Sequence, residues 1–254
     1  MKKIICTVLF LSLALAICPV RSSAEGAVNW YIKRNGNEKP ILPKEHAVAE
    51  ELGAYYIGKS DEKVIYLTFD AGYENGNVEK TLDILKSKGV PAAFFILKHL
   101  VVKNTDLVKR MNDEGHLVCN HTTRHADLTK LTADEISRDL SALEDACRDV
   151  CGIEMAKYFR FPEGRYSKAA IEAVNALGYK TVFWSFGYAD WDNNGQPSTG
   201  RAYDLIIANT HPGEVMLLHP TSKTNSEILA RLIDTWRDMG YRFGTLDELT
   251  GCNL

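Results

Sequence analysis

The sequence predicts an α/β fold, with one domain built on a parallel sheet. Three observations predict it. Val64 to Phe69 is a near-continuous apolar run, which suits a strand buried on both faces. From that strand onward, strand-like runs alternate with helical periodicity about seven times, as successive βαβ units do. No composition break follows Val64, so one domain is the economical reading. Periodicity does not separate an incomplete barrel from an open doubly wound sheet.

The elements follow in order. Val64 leads to Asp70 at the carboxyl end of the first strand, with Ala71-Gly72 beyond it. Val78, Leu82 and Leu85 have helical spacing, stopped by Gly89. Pro91–Ile96 reads as the next strand. A helix runs through Leu107, Val108 and Met111 to Gly115, then a short strand over Leu117–Asn120. Thr132 and Glu135 form a capping box ahead of Ile136, Leu140, Leu143 and Cys147. Tyr158–Phe161 is the fourth strand. Ser167 can cap a helix through Ala170, Ile171, Val174 and Leu177, closed by Gly178. Lys180–Trp184 is the fifth strand, Arg201–Asn209 a helix and Glu214–Leu218 the sixth strand. A helix through Ile228, Leu232 and Trp236 ends at Gly240, before a short strand over Tyr241–Phe243.

The chain ahead of Val64 differs in kind. Lys2-Lys3, an apolar stretch from Ile4 to Ile17 too short for a comfortable span, and Ser22-Ser23-Ala24 predict a secretory signal over residues 1–24. Leu15-Ala16-Ile17-Cys18 resembles a lipobox, but Ile17 is bulky where a small residue is needed, so a cleaved signal is preferred to an anchor. Residues 25–60, polar and mixed, read as an N-terminal extension on a domain spanning 61–254. Removing the signal takes three basic residues and leaves 27 basic against 33 acidic, a balance of −6 that gives no support for nucleic-acid binding. Cys119, Cys147, Cys151 and Cys252 remain, and four cysteines allow three pairings that sequence cannot choose between.

Polar residues gather at the strand ends. Asp70 follows the first strand, His121 and His125 the third, Arg160 sits in the fourth, Asp190-Trp191 follow the fifth, and His219 follows the sixth. In a parallel sheet those ends share one edge, so residues distant in sequence converge. Singly, each has an ordinary structural explanation, such as a polar loop, a surface ion pair, a turn cap or a core histidine. Jointly they suit metal-assisted hydrolysis. Two imidazoles and a carboxylate suit a borderline cation such as zinc. A carboxylate can take the proton of water while a histidine gives one to a leaving nitrogen. An Arg beside the base and an Asp beside the imidazole keep those states charged. No GxSxG elbow or P-loop supports a serine hydrolase or an NTPase.

Five stretches carry a family resemblance: Thr68-Phe69-Asp70, His121-Thr-Thr-Arg-His125, Arg160-Phe-Pro-Glu-Gly164, Asp190-Trp191 and Leu217-Leu-His219. In this order they resemble the five motifs of the polysaccharide deacetylases of carbohydrate esterase family 4, the NodB-homology domains. The resemblance implies a distorted (β/α)7 barrel that removes N-acetyl groups from aminosugars in polymers. It implies Asp70 as general base and His121 and His125 as metal ligands. Arg160 would orient Asp70, and the Glu163 backbone N–H would help hold the oxyanion. Asp190 would tune His219, the general acid. Trp191 would wall the groove and Leu217 would line the acetyl pocket.

Tyr73-Glu-Asn-Gly76, Phe183-Trp-Ser-Phe-Gly-Tyr188 and His211-Pro-Gly213 resemble the sporulation subgroup, peptidoglycan N-acetylmuramic acid deacetylases that lead to muramic δ-lactam in spore cortex. That subgroup implies a secreted bacterial enzyme of the cell wall or spore envelope. It would act as a monomer on glycan strands after an amidase removes the stem peptide. The alternatives are an N-acetylglucosamine deacetylase of peptidoglycan or chitin-like oligomers, and a catalytically silent glycan-binding module.

Two residues depart from the family pattern. Ala71 stands where most of the family carries an acid as third metal ligand. Asp70 could bend to ligate, Glu74 could reach in, or the metal could be held only with substrate. Glu163 stands where many relatives carry an aromatic or other residue, and its side chain could face the site or pair with Arg165.

Overall fold

The structure is a computed structural model that describes residues 26–252. The expected signal, with Cys6 and Cys18, lies outside the described residues. The strands are β1 (Val28–Asn29), β2 (Val64–Ala71), β3 (Ala93–Ile96), β4 (Leu117–Asn120), β5 (Ala156–Phe159), β6 (Arg165–Tyr166), β7 (Lys180–Thr181), β8 (Glu214–Leu218) and β9 (Arg242–Phe243). A seven-stranded sheet has the order β7-β5-β4-β3-β2-β8, with β9 paired to the first two residues of β2. Every pairing in it is parallel.

The helices are α1 (Ala47–Glu51), α2 (Val78–Lys88), α3 (Lys98–Lys103), α4 (Thr105–Asp113), α5 (Ala133–Cys151), α6 (Lys168–Ala176), α7 (Thr199–Ile207), α8 (Lys223–Asp238) and α9 (Leu246–Leu249). Local chemistry sets several ends. Thr132 and Glu135 form the expected capping box on α5, and Ser167 accepts from the Ala170 N–H at the start of α6. α3 has no counterpart in the expected pattern, because its six residues are too short to show a period.

Strand alternation sorts β2 into two faces. Ile65, Leu67 and Phe69 pack outward with Leu82, Leu85, Leu232 and Trp236 of the helical layer. Val64 and Tyr66 face the sheet interior with Phe95, Cys119, Val182 and Val215. Each large apolar side chain buried this way contributes roughly 1.5–3 kcal/mol. By the same alternation Thr68 and Asp70 lie on the interior face, which is what directs Asp70 into the site.

The curled sheet closes through irregular chain. The Val182 N–H donates to Phe159 O at 2.8 Å on the β5 side. Three residues later the Ser185 N–H donates to Val215 O at 3.0 Å, and the Leu217 N–H donates to Phe186 O at 2.8 Å. Residues 182–186 thus pass from one end of the sheet to the other. The expected strand Lys180–Trp184 keeps its ladder only through Thr181 for this reason. The expected strand Tyr158–Phe161 also shifts, to Ala156–Phe159. Pro162 offers no N–H, and the chain bends there into a 3₁₀ turn over Pro162–Gly164, leaving Arg160 just past the strand.

The segment before β2 packs against this closure. β1 pairs antiparallel with β6, and the Trp30 N–H donates to Gly164 O at 2.8 Å. The Trp30 ring stacks on Phe183 with centroids 4.3 Å apart. Cys119, Cys147 and Cys151 are buried, Cys252 is exposed, and all four are free thiols. Among the described residues no helix is long and apolar enough to cross a membrane.

Candidate active site

The carboxyl ends of β2, β4, β5 and β8 meet around a cavity of about 640 Å³. Asp70, His121, His125, Glu163, Trp191, Leu217 and His219 all line it. Arg160 and Asp190 stand behind the wall, each fully buried.

Arg160 organises one side. Its Nη1 donates to Asp70 Oδ1 at 2.9 Å, its Nη2 to Thr68 Oγ1 at 2.9 Å and Phe183 O at 3.2 Å, and its Nε to Val182 O at 3.0 Å. Its guanidinium lies 4.2 Å from the Phe95 ring centroid. A buried cation needs this degree of satisfaction. Burial alone would push the Asp70 carboxyl up, but Arg160, His121 and His219 outweigh it and hold that carboxyl below its ordinary value.

Arg160 also sets His121. Its backbone carbonyl accepts from His121 Nδ1 at 2.9 Å. The proton therefore sits on Nδ1, which leaves the Nε2 lone pair free. That Nε2 is 3.6 Å from Asp70 Oδ2, beyond a direct hydrogen bond. Burial pushes His121 down to about 4, with Asp70 opposing. His125 meets His121 edge to face, ring centroids 5.0 Å apart.

Asp190 organises the other side. Its Oδ1 accepts from His219 Nδ1 at 2.7 Å, and its Oδ2 accepts from the His219 backbone N–H at 2.8 Å and from Asn225 Nδ2 at 2.6 Å. Burial would lower His219, but the Asp190 hydrogen bond and charge outweigh it and raise it. The environments therefore drive the two facing groups apart, Asp70 toward its ionised form and His219 toward its protonated form. Trp191, 60% exposed, meets His219 edge to face at 6.2 Å.

Among the described residues only Thr122, His125 and Glu163 combine a side chain with positive φ, at 74°, 59° and 57°. All three lie in the loops around this cavity, where such strain of about 1–3 kcal/mol per residue is characteristic of functional geometry. The turn carrying the two histidines is pinned by the Thr122 N–H to Asn120 Oδ1 and the Ala126 N–H to Thr122 Oγ1. Gly164, at φ 63°, has no substitute, since a Cβ there would come 2.7 Å from Trp184 and 2.9 Å from Trp30.

The donor chemistry fits a divalent cation through His121 and His125, with the His121 tautomer already fixed for ligation. Among the described residues no three His, Cys, Asp or Glu side chains are grouped to hold a metal ion. Ala71 is fully buried in the apolar layer beneath the helices. Glu74 does not reach in. Its carboxylate accepts the N–H groups of Gly76 and Glu79 at the start of α2. Glu163 lines the cavity, and Arg165 pairs instead with Asp127 at 3.0 Å.

Sequence reasoning missed Trp30, Leu97, Trp184 and Thr221 in the cavity wall and Asn225 behind Asp190. A signal existed for Trp184, inside the Phe183–Tyr188 stretch. Trp30 had none, since its segment shows no period.

The polysaccharide deacetylase profile matches residues 57–182. The chain is 40% identical over 224 residues to the peptidoglycan-N-acetylmuramic acid deacetylase PdaA of Bacillus subtilis, covering 87% of this chain and 85% of that one. It superposes on the structure of PdaA, a family 4 carbohydrate esterase, with a TM-score of 0.85, covering 90% and 98% of the two chains at 39% identity. A family 4 carbohydrate esterase from Bacillus anthracis superposes with a TM-score of 0.74 at 36% identity, covering 89% and 97%.

Proposed function

The chain belongs to the polysaccharide deacetylase family, carbohydrate esterase family 4, and from that premise we propose that it is an exported deacetylase of N-acetylmuramic acid residues in peptidoglycan. The observation that carries the substrate is the 40% identity to PdaA across most of both chains. The observation that carries the chemistry is that Asp70, hydrogen-bonded to Arg160, and His219, hydrogen-bonded to Asp190, line one cavity.

The acetamide enters with its methyl toward Leu217 and Trp184. Asp70, kept ionised by Arg160, takes a proton from the attacking water. The Glu163 backbone N–H helps hold the oxyanion. His219, kept protonated by Asp190, gives its proton to the sugar nitrogen as the C–N bond breaks. Acetate and the free amine leave. His121 and His125 would hold a divalent cation, zinc by donor type, which when bound polarises the carbonyl and acidifies water. Trp191 walls the groove beside the His219 ring.

The freed amine of muramic acid is the group that closes on the lactyl carboxyl in a δ-lactam, which is consistent with a role in the cortex of spores. The test uses amidase-trimmed peptidoglycan incubated with the protein, digested with muramidase and analysed by mass spectrometry. Loss of acetyl from muramic acid is expected. Acetyl loss from N-acetylglucosamine alone would replace the substrate, and no acetyl loss with any divalent metal would overturn the reading.

A further inference from the structure

A second depression, about 420 Å³, lies on the far side of the wall formed by Trp30 and Trp184. Tyr31, Ile32, Arg34 and Gly187 complete it. Its size falls in the range that takes a small ligand. Both indoles also line the catalytic cavity, so the two spaces share one wall.

Arg34 is the charged group of this depression. Its Nη2 donates to Gly187 O at 2.8 Å, and its guanidinium lies 5.1 Å from the Phe186 ring centroid. Among the described residues it meets no carboxylate within ion-pair distance, and its Nη1 and Nε make no hydrogen bond. A guanidinium fixed at one nitrogen with others free is preorganised for a bidentate carboxylate. Gly187 brings it close to the reaction. A Cβ at 187 would sit 3.2 Å from Trp184 Nε1 and 3.6 Å from Leu217 Cβ, so Arg34 is anchored directly behind the acetyl-pocket wall.

Tyr31 forms the rim and is 44% exposed. Its hydroxyl donates to Glu45, and its backbone N–H donates to His46 Nε2 at 3.3 Å. An exposed ring held at both ends loses little entropy when a ligand packs on it.

We propose that this depression is a saccharide subsite for the same glycan strand, in which Arg34 takes a sugar-borne carboxylate and Tyr31 packs against the ring. The inference rests on the reading of the chain as a peptidoglycan deacetylase. Two sources carry that carboxylate: the lactyl group of peptide-free muramic acid, and a retained stem peptide.

The test is calorimetric titration of the wild type, Arg34→Gln and Arg34→Ala with three soluble probes. These are peptide-free peptidoglycan oligosaccharides, the same oligosaccharides bearing stem peptides, and chitooligosaccharides of equal length, which lack a carboxylate. Loss of a charge-assisted pair weakens binding about tenfold. Both variants are therefore expected to lose about tenfold on a carboxylated probe beyond any loss on the neutral one. The probe that suffers identifies the source. Equal weakening on all three probes, or none, overturns the subsite. Deacetylation is followed in parallel. Arg34-dependent binding without acetyl release overturns the substrate reading and leaves the subsite standing. Acetyl release with binding indifferent to Arg34 does the reverse.

Discussion

Asp190 gives both carboxylate oxygens to His219, Oδ1 to the ring Nδ1 at 2.7 Å and Oδ2 to the backbone N–H at 2.8 Å. One buried acid therefore fixes the ring's charge, tautomer and position together. The Asp190→Asn variant keeps the shape and removes the charge. His219 then loses the partner that raises it, so the alkaline limb of the pH–rate profile moves to lower pH. Activity is expected to fall about 10²–10⁴-fold, the range of a general acid. A profile with an unmoved alkaline limb would contradict this role for the pair.

Arg160 does for Asp70 what Asp190 does for His219. Replacing it with Gln leaves a carboxylate buried without its cation, a loss of about 3–5 kcal/mol. The acid limb of the pH–rate profile should move up, because the carboxyl is no longer held down. Denaturant melts and a pH–rate series read both effects.

The two shifts predict opposite pH dependences of stability. Asp70 is depressed in the folded state, so its contribution is present above the unfolded value of about 4 and is lost as pH falls through the folded one. His219 is raised, so its contribution is present below about 6.5 and is lost as pH rises through the folded value. Asp70→Asn should flatten the acid side of the stability curve and Asp190→Asn the alkaline side. Thermal melts across pH measure this.

Metal binding tests the two histidines. His121, pushed down to about 4, stays neutral under mildly acid conditions where an ordinary imidazole would be protonated. Zinc titration is expected to show a site abolished by His121→Ala and weakened by His125→Ala. Chelator should remove activity and added zinc restore it.

Glu74 offers a control for that site. Its carboxylate binds amides at the start of α2, and Asn77 supplies no side-chain cap there. Glu74→Ala should cost about 0.5–2 kcal/mol of stability, as loss of a cap does, with zinc affinity unchanged. A fall in zinc affinity would make Glu74 a ligand.

Much of this protein is written in short-range patterns. The run of Val64 to Phe69 made β2, the spacing of Val78, Leu82 and Leu85 made α2, and Thr132 with Glu135 began α5, because strand period, helix period and capping depend on neighbours within a turn. Asp70, His121, Arg160, Asp190 and His219 were legible for a related reason. Asp70, His121, Arg160 and His219 sit at or just beyond strand ends, and parallel strands carry their carboxyl ends to one place, whereas Asp190 lies nine residues past Thr181, the end of β7, on the irregular chain that closes the sheet. The remainder required long-range contact or unusual backbone. Trp30 enters the cavity wall because it stacks on Phe183, and Asn225 steadies Asp190 from the first turn of α8. The turn at Glu163 rests on φ 57°, which no hydrophobic pattern encodes. Ala71 and Glu74 show the division most clearly. Sequence marks where a ligand is missing and where a carboxylate could replace it. Only the folded chain spends Glu74 on the N–H groups of Gly76 and Glu79, at a helix start whose first amides have no partner within the helix.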